Sequence, residues 1–570
     1  MGMDQNSEFF QTSLKVVGRF LQTAVVIDDR AFRQGAVREP IPHTIEAPPT
    51  PSTVQPLTED LFPAGPNVVE SNEIVVPIPD PDPHGIDAEK TIRAFAELGI
   101  VCSVLQRFPG INPADLGQSG EKLLVPADIL VIDWQVHRDD GSDSNEETLN
   151  FLAVSVDESA QYAPEQLRLI IVYTGAQDLL KVAEKIKERL TIPDKSPPQA
   201  DGEYAFQIGA SRIVVLGKYS RFRSPESSQQ QVESEAQLAA RATREFTAMT
   251  AGLVSNVVLD GLAEIRRTTH RILTRFAPGL DAPFLAHRSL LTPPSEGNEH
   301  LLPLIAAEIE AILEERLGPD FLPDETIRQW LETRPDPMPM LGSVPNMTTA
   351  EKARQVVQDI CLKGVRNHLD FSIPSQPGWV KKLADDKGVS DLQKLTEVIA
   401  GESTPNANER LEELMSLRTR YGKKPPALTL GTLLIHPETG DASYWLCLQP
   451  ACDCFIRKGG SRAFPFLGLT KGDQNFNLLA CHCGSYIRLN WEPRPHKIRM
   501  FEFEANSPAG AVVSSGSQDS FHFYTVDKTF EFQWTGELKF PQAQRIAHSL
   551  AAEAARVGLT ESEWLRRNSR

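Results

Sequence analysis

The chain is poor in cysteine and has no long apolar stretch. Only seven of its 570 residues are cysteine, and five of them fall between Cys447 and Cys483, so a disulfide scaffold is not expected. No apolar run approaches the roughly 20 residues that a membrane helix needs. The opening residues, Met1 to Gln5, contain no basic and apolar leader. These absences predict a soluble, cytoplasmic protein.

Positive charge is also in short supply. The 58 Lys and Arg residues are outnumbered by 76 Asp and Glu residues, which gives a formal net charge of −18. Binding to nucleic acid or to an anionic membrane needs clustered basic side chains, so neither is an expected partner, although a local basic patch is compatible with this balance. A chain of this length exceeds one ordinary hydrophobic core, and two to four domains are expected.

Four apolar, strand-like segments in the first 220 residues each end in a polar side chain. In chain order these strand ends are Asp28 with Asp29, Asp133, Thr174 and Lys218. Continuous apolar runs are typical of buried parallel strands, and ligands of open α/β sheets bind at the carboxyl edge where such strands end. Adjacent carboxylates repel each other, so the acid pair suggests a hard divalent cation such as Mg²⁺. Taken alone, such a pair is more often a solvated acidic turn, and the three later strand ends shift the balance toward a metal site.

The order of these strand ends resembles the receiver domain of bacterial response regulators. The resemblance covers about residues 10–222 and implies a flavodoxin-like α/β fold with a five-stranded parallel sheet. It implies that Asp133 accepts a phosphoryl group from a histidine kinase and that Thr174 and Lys218 contact the phosphoryl oxygens. The Mg²⁺ ligands that it implies are Asp28, Asp29, Asp133 and the backbone carbonyl of Gln135. Phosphorylation would then switch what the domain binds.

Helical patterns separate the strands, but the chain departs from the family in three places. A segment at 39–85 contains twelve prolines and is predicted to be an insertion without regular structure. Tyr219 follows Lys218 where the family often has proline. Val215 occupies the position of the usual switching aromatic, so Tyr173 or Tyr219 would have to replace it. A pseudo-receiver that only docks partners is therefore an alternative.

Residues 223–425 are predicted to form an α-helical middle region. Apolar residues recur at three- and four-residue spacing along a helix at 238–276, which favours a bundle core or a homodimer interface. His270 lies on this helix, but its neighbours form no recognisable phosphotransfer motif.

Residues 426–570 are predicted to be an α+β domain of short antiparallel strands closed by a helix at 542–557. A four-sulfur zinc site is an alternative to simple packing for the cysteines of this region. Its ligands would be Cys452, Cys454, Cys481 and Cys483. The segments 447–453, 556–559 and 563–567 look like those of large receiver-containing proteins encoded in bacterial conflict and anti-phage operons.

The chain is thus predicted to be multidomain: a receiver at 1–222 followed by the two regions above. We expect a response regulator that is not an enzyme and that acts on an effector protein through its C-terminal region, with a link to antiviral defence. The rival hypotheses are a metal-dependent enzymatic or nucleic-acid-acting output with zinc, and a scaffold with an inactive receiver.

Overall fold

The computed structural model divides the chain into two compact units. The first comprises Met1–Ala277 and Leu304–Thr333, and the second comprises Pro278–Pro303 and Arg334–Arg570. The predicted boundaries at 222 and 425 stay predictions. Within the described part of the chain, no helix is long and apolar enough to cross a membrane. The structure describes residues 4–32, 85–105, 127–137, 143–156, 166–191, 197–219, 231–291, 294–318, 320–341, 349–366, 380, 389–422, 424–437, 443–454, 456, 460–473, 476–482, 484–508, 510–517 and 520–555.

Helices and strands alternate in the N-terminal part, and strands dominate the C-terminal part. The helices are α1 (Glu8–Phe20), α2 (Ala88–Glu97), α3 (Glu146–Ser155), α4 (Leu179–Leu190), α5 (Glu235–Thr250), α6 (Leu253–Arg275), α7 (Asp281–Ser289), α8 (Leu301–Leu317), α9 (Asp324–Glu332), α10 (Met338–Leu341), α11 (Ala350–Lys363), α12 (Val389–Ala400), α13 (Ala407–Ser416) and α14 (Phe540–Ala554). The strands are β1 (Thr23–Ile27), β2 (Val101–Leu105), β3 (Ile129–Ile132), β4 (Val136–His137), β5 (Asp143–Ser144), β6 (Arg168–Thr174), β7 (Gln199–Ala200), β8 (Ala205–Ile208), β9 (Ser211–Lys218), β10 (Val232–Glu233), β11 (Thr432–His436), β12 (Ser443–Cys447), β13 (Ser461–Lys471), β14 (Leu478–His482), β15 (Ser485–Asn490), β16 (Ile498–Glu504), β17 (Ser515–Ser517), β18 (Ser520–Tyr524) and β19 (Glu531–Glu537).

The first unit is built on a mixed sheet with helices on both faces. Its central strands lie in the order β2-β1-β3-β6-β9 and are parallel, as the flavodoxin-like prediction requires. The sheet has eight strands rather than the predicted five, because the antiparallel pair β7–β8 and the short parallel strand β10 extend it beside β9. One hydrophobic cluster joins the sheet to α1, α2 and α5, and a second joins it to α3 and α4.

The long helix predicted at 238–276 is two helices in the structure. It breaks at Ala251 and Gly252, between α5 and α6. Leu238 and Phe246 of α5 are fully buried in the first cluster, so this half of the apolar stripe is core within one chain and not a dimer interface. The predicted homodimer interface stays a prediction for α6, where Val254 and Val258 are exposed.

Almost all of the proline-rich insertion lies outside the described residues, but the two chain segments that flank it meet. Phe32 donates its backbone N–H to the carbonyl of Ile86 at 3.0 Å, and its own carbonyl accepts from Ala88 N at 2.9 Å. Gly85 fits beside this stem, because a Cβ there would lie 2.5 Å from the carbonyl oxygen of Arg30. Asp87 then caps α2 by accepting hydrogen bonds from the second and third amides beyond it. Helix α2 therefore starts close in space to β1.

The second unit contains a nine-stranded antiparallel sheet, which agrees with the predicted strand-rich C-terminal region. Its strands follow the order β14-β15-β13-β12-β11-β19-β18-β17, and β16 pairs with β13. One core cluster includes Ala543 and Ile546 of α14, and the other is rich in phenylalanine, with Phe464, Phe466 and Phe503 fully buried. The aromatic rings of this second cluster pack mostly edge to face, which stabilises the sheet beyond the burial of apolar area.

Candidate functional site

Strand register brings the predicted site residues to one edge of the first sheet. Ile27, the last residue of β1, lies beside Ile132 of β3. Ile132 pairs with Val172 of β6, and Thr174 pairs with Gly217 of β9. The side chains that follow these positions therefore emerge at the carboxyl ends of four neighbouring parallel strands, which is where α/β sheets bind ligands.

Three carboxylates converge at this edge. Asp28, Asp29 and Asp133 each present one oxygen, and the three oxygens lie within 4.8 Å of one another. Asp28 is only 2% exposed and Asp133 only 5% exposed, so two of the three acids are withdrawn from bulk water. Converging carboxylate oxygens form a donor set that suits Mg²⁺, a hard cation that prefers oxygen ligands.

Lys218 joins two of these acids from the end of β9. Its ammonium nitrogen lies 2.7 Å from Oδ2 of Asp28 and 3.2 Å from Oδ2 of Asp133, and its side chain is 3% exposed. Backbone amides hold the other carboxylate oxygens. Arg30 N donates to Oδ1 of Asp28 at 2.9 Å, and Trp134 N donates to Oδ1 of Asp133 at 2.8 Å. Both carboxylates are therefore oriented with Oδ2 toward the ammonium group.

Burial and charge pairing both act on the pKa values of Asp133 and Lys218. Desolvation raises the pKa of the Asp133 carboxyl to about 7, with Lys218 opposing the shift and Asp28 adding to it. Burial alone would lower the pKa of the Lys218 ammonium, but the attraction of Asp133 and Asp28 outweighs it and the net shift is upward. The lysine stays charged at neutral pH, whereas Asp133 is poised between its acid and its carboxylate.

The raised pKa of Asp133 predicts a pH-dependent stability. The folded chain holds this proton up to about pH 7 and the unfolded chain releases it near the ordinary value of 3.8, so the contribution of Asp133 to the free energy of unfolding should fall as pH rises between these values. Urea titrations of wild type and Asp133→Asn in metal-free buffer, repeated across this pH range, measure this contribution as the difference between their free energies of unfolding. Mg²⁺ should reduce the fall because it binds the carboxylate form. A difference that does not vary with pH would contradict the shift.

Thr174 and Gln135 also lie in the described part of the chain. Thr174 is 1% exposed, and its hydroxyl oxygen accepts a hydrogen bond from Ala176 N at 3.0 Å. Gln135 stands two residues beyond Asp133, between β3 and β4, and the role of its carbonyl as a metal ligand stays a prediction. Thr148 of α3 donates its hydroxyl to the carbonyl of Asp133 at 3.0 Å and so ties this loop to the helix that follows.

A contact behind the site was not anticipated from the sequence. Tyr173 is buried, and its hydroxyl donates to the carbonyl of Glu233 in β10 at 2.7 Å. Tyr219 N donates to the same carbonyl at 3.0 Å, while the Tyr219 side chain is 70% exposed. Strand β10 consists of a Val–Glu pair that follows a Ser/Gln-rich segment. Two residues are too few to show the alternating pattern by which a strand is recognised in a sequence.

The cysteines are not gathered into a metal centre within the described residues. Cys454 is buried in the phenylalanine-rich cluster, where its thiol donates to the carbonyl of Pro450 at 3.3 Å. Cys481 packs against the other cluster of that unit, Cys452 is exposed, and Cys483 lies outside the described residues. Burial raises the pKa of the Cys454 thiol to about 11, which opposes the thiolate form that zinc requires. Among the described residues, one group of three side chains is close enough together to hold a metal ion. It is the acid cluster of the first sheet.

Comparison with known protein families agrees with this geometry. Residues 20–222 match the family model described as a response receiver domain. The match spans a little over a third of the chain and ends before α5. Comparisons with the curated proteins and with the solved structures gave no match. The match supports a receiver domain in the N-terminal region.

Proposed function

We propose that the chain is a response regulator in which Asp133 accepts a phosphoryl group from a histidine kinase. The observation that carries the proposal is the convergence of Asp28, Asp29 and Asp133 around the ammonium group of Lys218. A receiver domain with this cluster supports a response-regulator-like phosphoacceptor function. We treat the chain as a phosphoacceptor and not as an enzyme acting on other substrates.

Asp133 is positioned to act as the nucleophile through one defined oxygen. Trp134 N–H holds Oδ1, and the attacking atom in this proposal is Oδ2, which faces the ammonium group of Lys218. The new bond joins this oxygen to phosphorus while the bond from phosphorus to the donor imidazole breaks, and the imidazole leaves with the electron pair. When bound by Asp28, Asp29, Asp133 and the Gln135 carbonyl, Mg²⁺ would neutralise the acids and the phosphoryl oxygens.

Lys218 and Thr174 supply the remaining contacts of the proposed acceptor. The ammonium group of Lys218, 3.2 Å from Oδ2 of Asp133, would pair with a phosphoryl oxygen once the aspartyl phosphate has formed. The hydroxyl of Thr174 accepts from Ala176 N, which leaves its own hydrogen available for donation to another phosphoryl oxygen. Both residues lie at the ends of strands in a rigid sheet, so their side chains are already positioned and lose little conformational freedom when they bind the phosphoryl group.

A route from this site toward the rest of the chain begins at β10. Tyr173 immediately precedes Thr174, and its hydroxyl is hydrogen-bonded to Glu233, two residues before α5 begins. A shift of Thr174 toward a phosphoryl group would act on this bond and on the start of α5. Helices α5 and α6 then lead to the remaining regions, which we propose to be an output or partner-binding unit for an effector protein. A cytoplasmic location and a role in bacterial defence signalling stay predictions from the sequence.

The experiment that tests this function is phosphoryl uptake by the purified full-length chain. Incubation with acetyl phosphate and Mg²⁺ should produce a species retarded on a phosphate-binding gel, with an intact mass increased by one phosphoryl group. Chelation of the metal should abolish the species because the acid cluster then repels the donor. Absence of uptake in the presence of Mg²⁺ would favour the pseudo-receiver alternative. Uptake that survives chelation would separate phosphorylation from the acid cluster.

A further inference from the structure

A cleft in the second unit has the size of a small-ligand site. Its volume is about 760 Å³, and it lies beside α13, the segment that follows this helix, and strands β14, β18 and β19. Pockets for small molecules usually measure about 300–1,000 Å³. Residues that line it include Arg410, Arg418, Arg420, Cys481, Phe521 and Trp534.

The lining is basic although the chain as a whole is strongly acidic. Among the described residues that line it, three are arginines and one, Glu413, is an acid. Glu413 is already engaged, because its carboxylate accepts a hydrogen bond from the Tyr486 hydroxyl at 2.8 Å. In a protein with a net charge of −18, this local excess of guanidinium groups favours an anionic occupant.

Two of the arginines, Arg410 and Arg418, are exposed to solvent and accessible to such an anion. Arg410 is exposed on α13, and within the described part of the chain no carboxylate forms an ion pair with it. Arg418 pairs with Glu537 at 2.9 Å, but its side chain is 60% exposed, so the pair is weak and readily exchanged. Guanidinium groups bind phosphate in a two-pronged geometry that an ammonium group cannot reproduce.

Two aromatic rings contact the guanidinium group of the third arginine. The guanidinium carbon of Arg420 lies 4.9 Å from the ring centroid of Phe521 and 4.9 Å from that of Trp534. These two rings meet edge to face, with centroids 6.1 Å apart. Arg420 also donates a hydrogen bond to the carbonyl of Lys424. Its planar group is therefore fixed in place and can stack against a planar ring.

The strand beneath the cleft is irregular at the same place. Leu433 of β11 pairs with Gly536, but the next residue, Leu434, pairs with Trp534, so Thr535 is the extra residue of a β-bulge. Trp534, Thr535 and Gly536 all line the cleft, whereas a regular strand would turn the middle residue to the other face. Bulges of this kind are common beside binding sites, where they redirect side chains.

We propose that this cleft binds a phosphate-bearing small molecule with a planar ring, of the size of a nucleoside monophosphate. Arg410 and Arg418 bind the phosphate, and the plane of Arg420, supported by Phe521 and Trp534, stacks on the ring. The site is distinct from the acid cluster, and its occupancy does not require phosphorylation of Asp133.

Isothermal titration of the full-length, unphosphorylated chain tests the proposal directly. The probes are the four common ribonucleoside monophosphates, with adenosine and ribose 5-phosphate as partial ligands. At least one monophosphate should bind at a single saturable site and more tightly than either partial ligand. Arg410→Gln should weaken this binding by about tenfold or more, because it removes a charge-assisted contact. Arg410 is exposed, so the variant should fold normally.

Arg494→Gln is the matched control, since Arg494 belongs to the same unit, is 57% exposed and does not line the cleft. Binding that is lost in Arg410→Gln and kept in Arg494→Gln supports the proposal. Three outcomes overturn it: no saturable binding of any monophosphate, binding unchanged in Arg410→Gln, or equal loss in the two variants. The last outcome would indicate general electrostatic attraction rather than a site.

Discussion

Asp133→Asn should abolish phosphoryl uptake from acetyl phosphate by the full-length chain. Asparagine matches the shape of aspartate, but its amide is not a nucleophile and cannot form the acyl phosphate. The amide oxygen can still accept from Trp134 N–H, which donates to the native carboxylate at 2.8 Å. Loss of uptake would therefore report the missing carboxylate and not a rearranged loop. The retarded gel species and the added mass should both be absent.

Asp281→Asn is a suitable control for this experiment. Asp281 is an exposed residue in the first turn of α7, and this variant should take up phosphate like the wild type. Thermal unfolding of both variants verifies that they are folded. Substantial uptake by Asp133→Asn would mean that another side chain accepts the phosphoryl group, and Asp28 or Asp29 would then be examined first because they lie in the same cluster.

Lys218→Met should lower the free energy of unfolding by about 3–5 kcal/mol at neutral pH, because it leaves buried carboxylates without their cation. The ammonium group contacts both Asp28 and Asp133, and the side chain is almost completely enclosed. Methionine preserves most of the side-chain volume, so the loss reports charge more than packing. Denaturant titration of wild type and variant measures the difference.

Two additions distinguish this electrostatic cause from a packing defect. Lys218 lowers the pKa of Asp133, so its removal should raise this pKa further and Asp133 should take up its proton more readily. Acidification should therefore reduce the difference in stability between wild type and Lys218→Met. Mg²⁺ should narrow it as well, because a divalent cation replaces the missing charge. Lys185→Met, at an exposed position of α4, should change stability by less than about 0.5 kcal/mol. A loss in Lys218→Met that is insensitive to both pH and Mg²⁺ would point to packing.

The acid cluster was predictable from the sequence because parallel strands convert sequence order into spatial proximity. Each of the strands β1, β3, β6 and β9 contains a continuous apolar run, and the residue that ends it must emerge at a common edge. Asp133 and Lys218 are 85 positions apart in the printed sequence and yet form an ion pair. The pattern alone did not predict the backbone amides of Arg30 and Trp134, since every residue except proline carries such a donor.

Two features of the fold, strand β13 and the break between α5 and α6, were not predicted because the local sequence pattern favoured another structure. The longest strand of the second sheet, β13, was not predicted, because Pro465 and Gly468 lie inside it and both residues are unfavourable in strand interiors. It forms nevertheless because β12 and β16 pair with it on its two sides. The break between α5 and α6 was hidden by an apolar spacing that continues across Gly252. In β13 tertiary pairing outweighs local propensity, whereas the helix break agrees with the low helix propensity of glycine.

Backbone hydrogen bonds join Phe32 to Ile86 and Ala88 and form a stem close to the acid cluster. With this stem in place, the geometry of the acid cluster does not depend on how many residues lie between the two joined segments. Closing a flexible loop costs only about 0.6 kcal/mol more for each doubling of its length. By this relation, a flexible connection of another length in place of residues 33–84 would change the free energy of folding little, provided that the stem is kept. A segment of variable length could thus follow Asp28 and Asp29 without disturbing the sheet that holds these two residues.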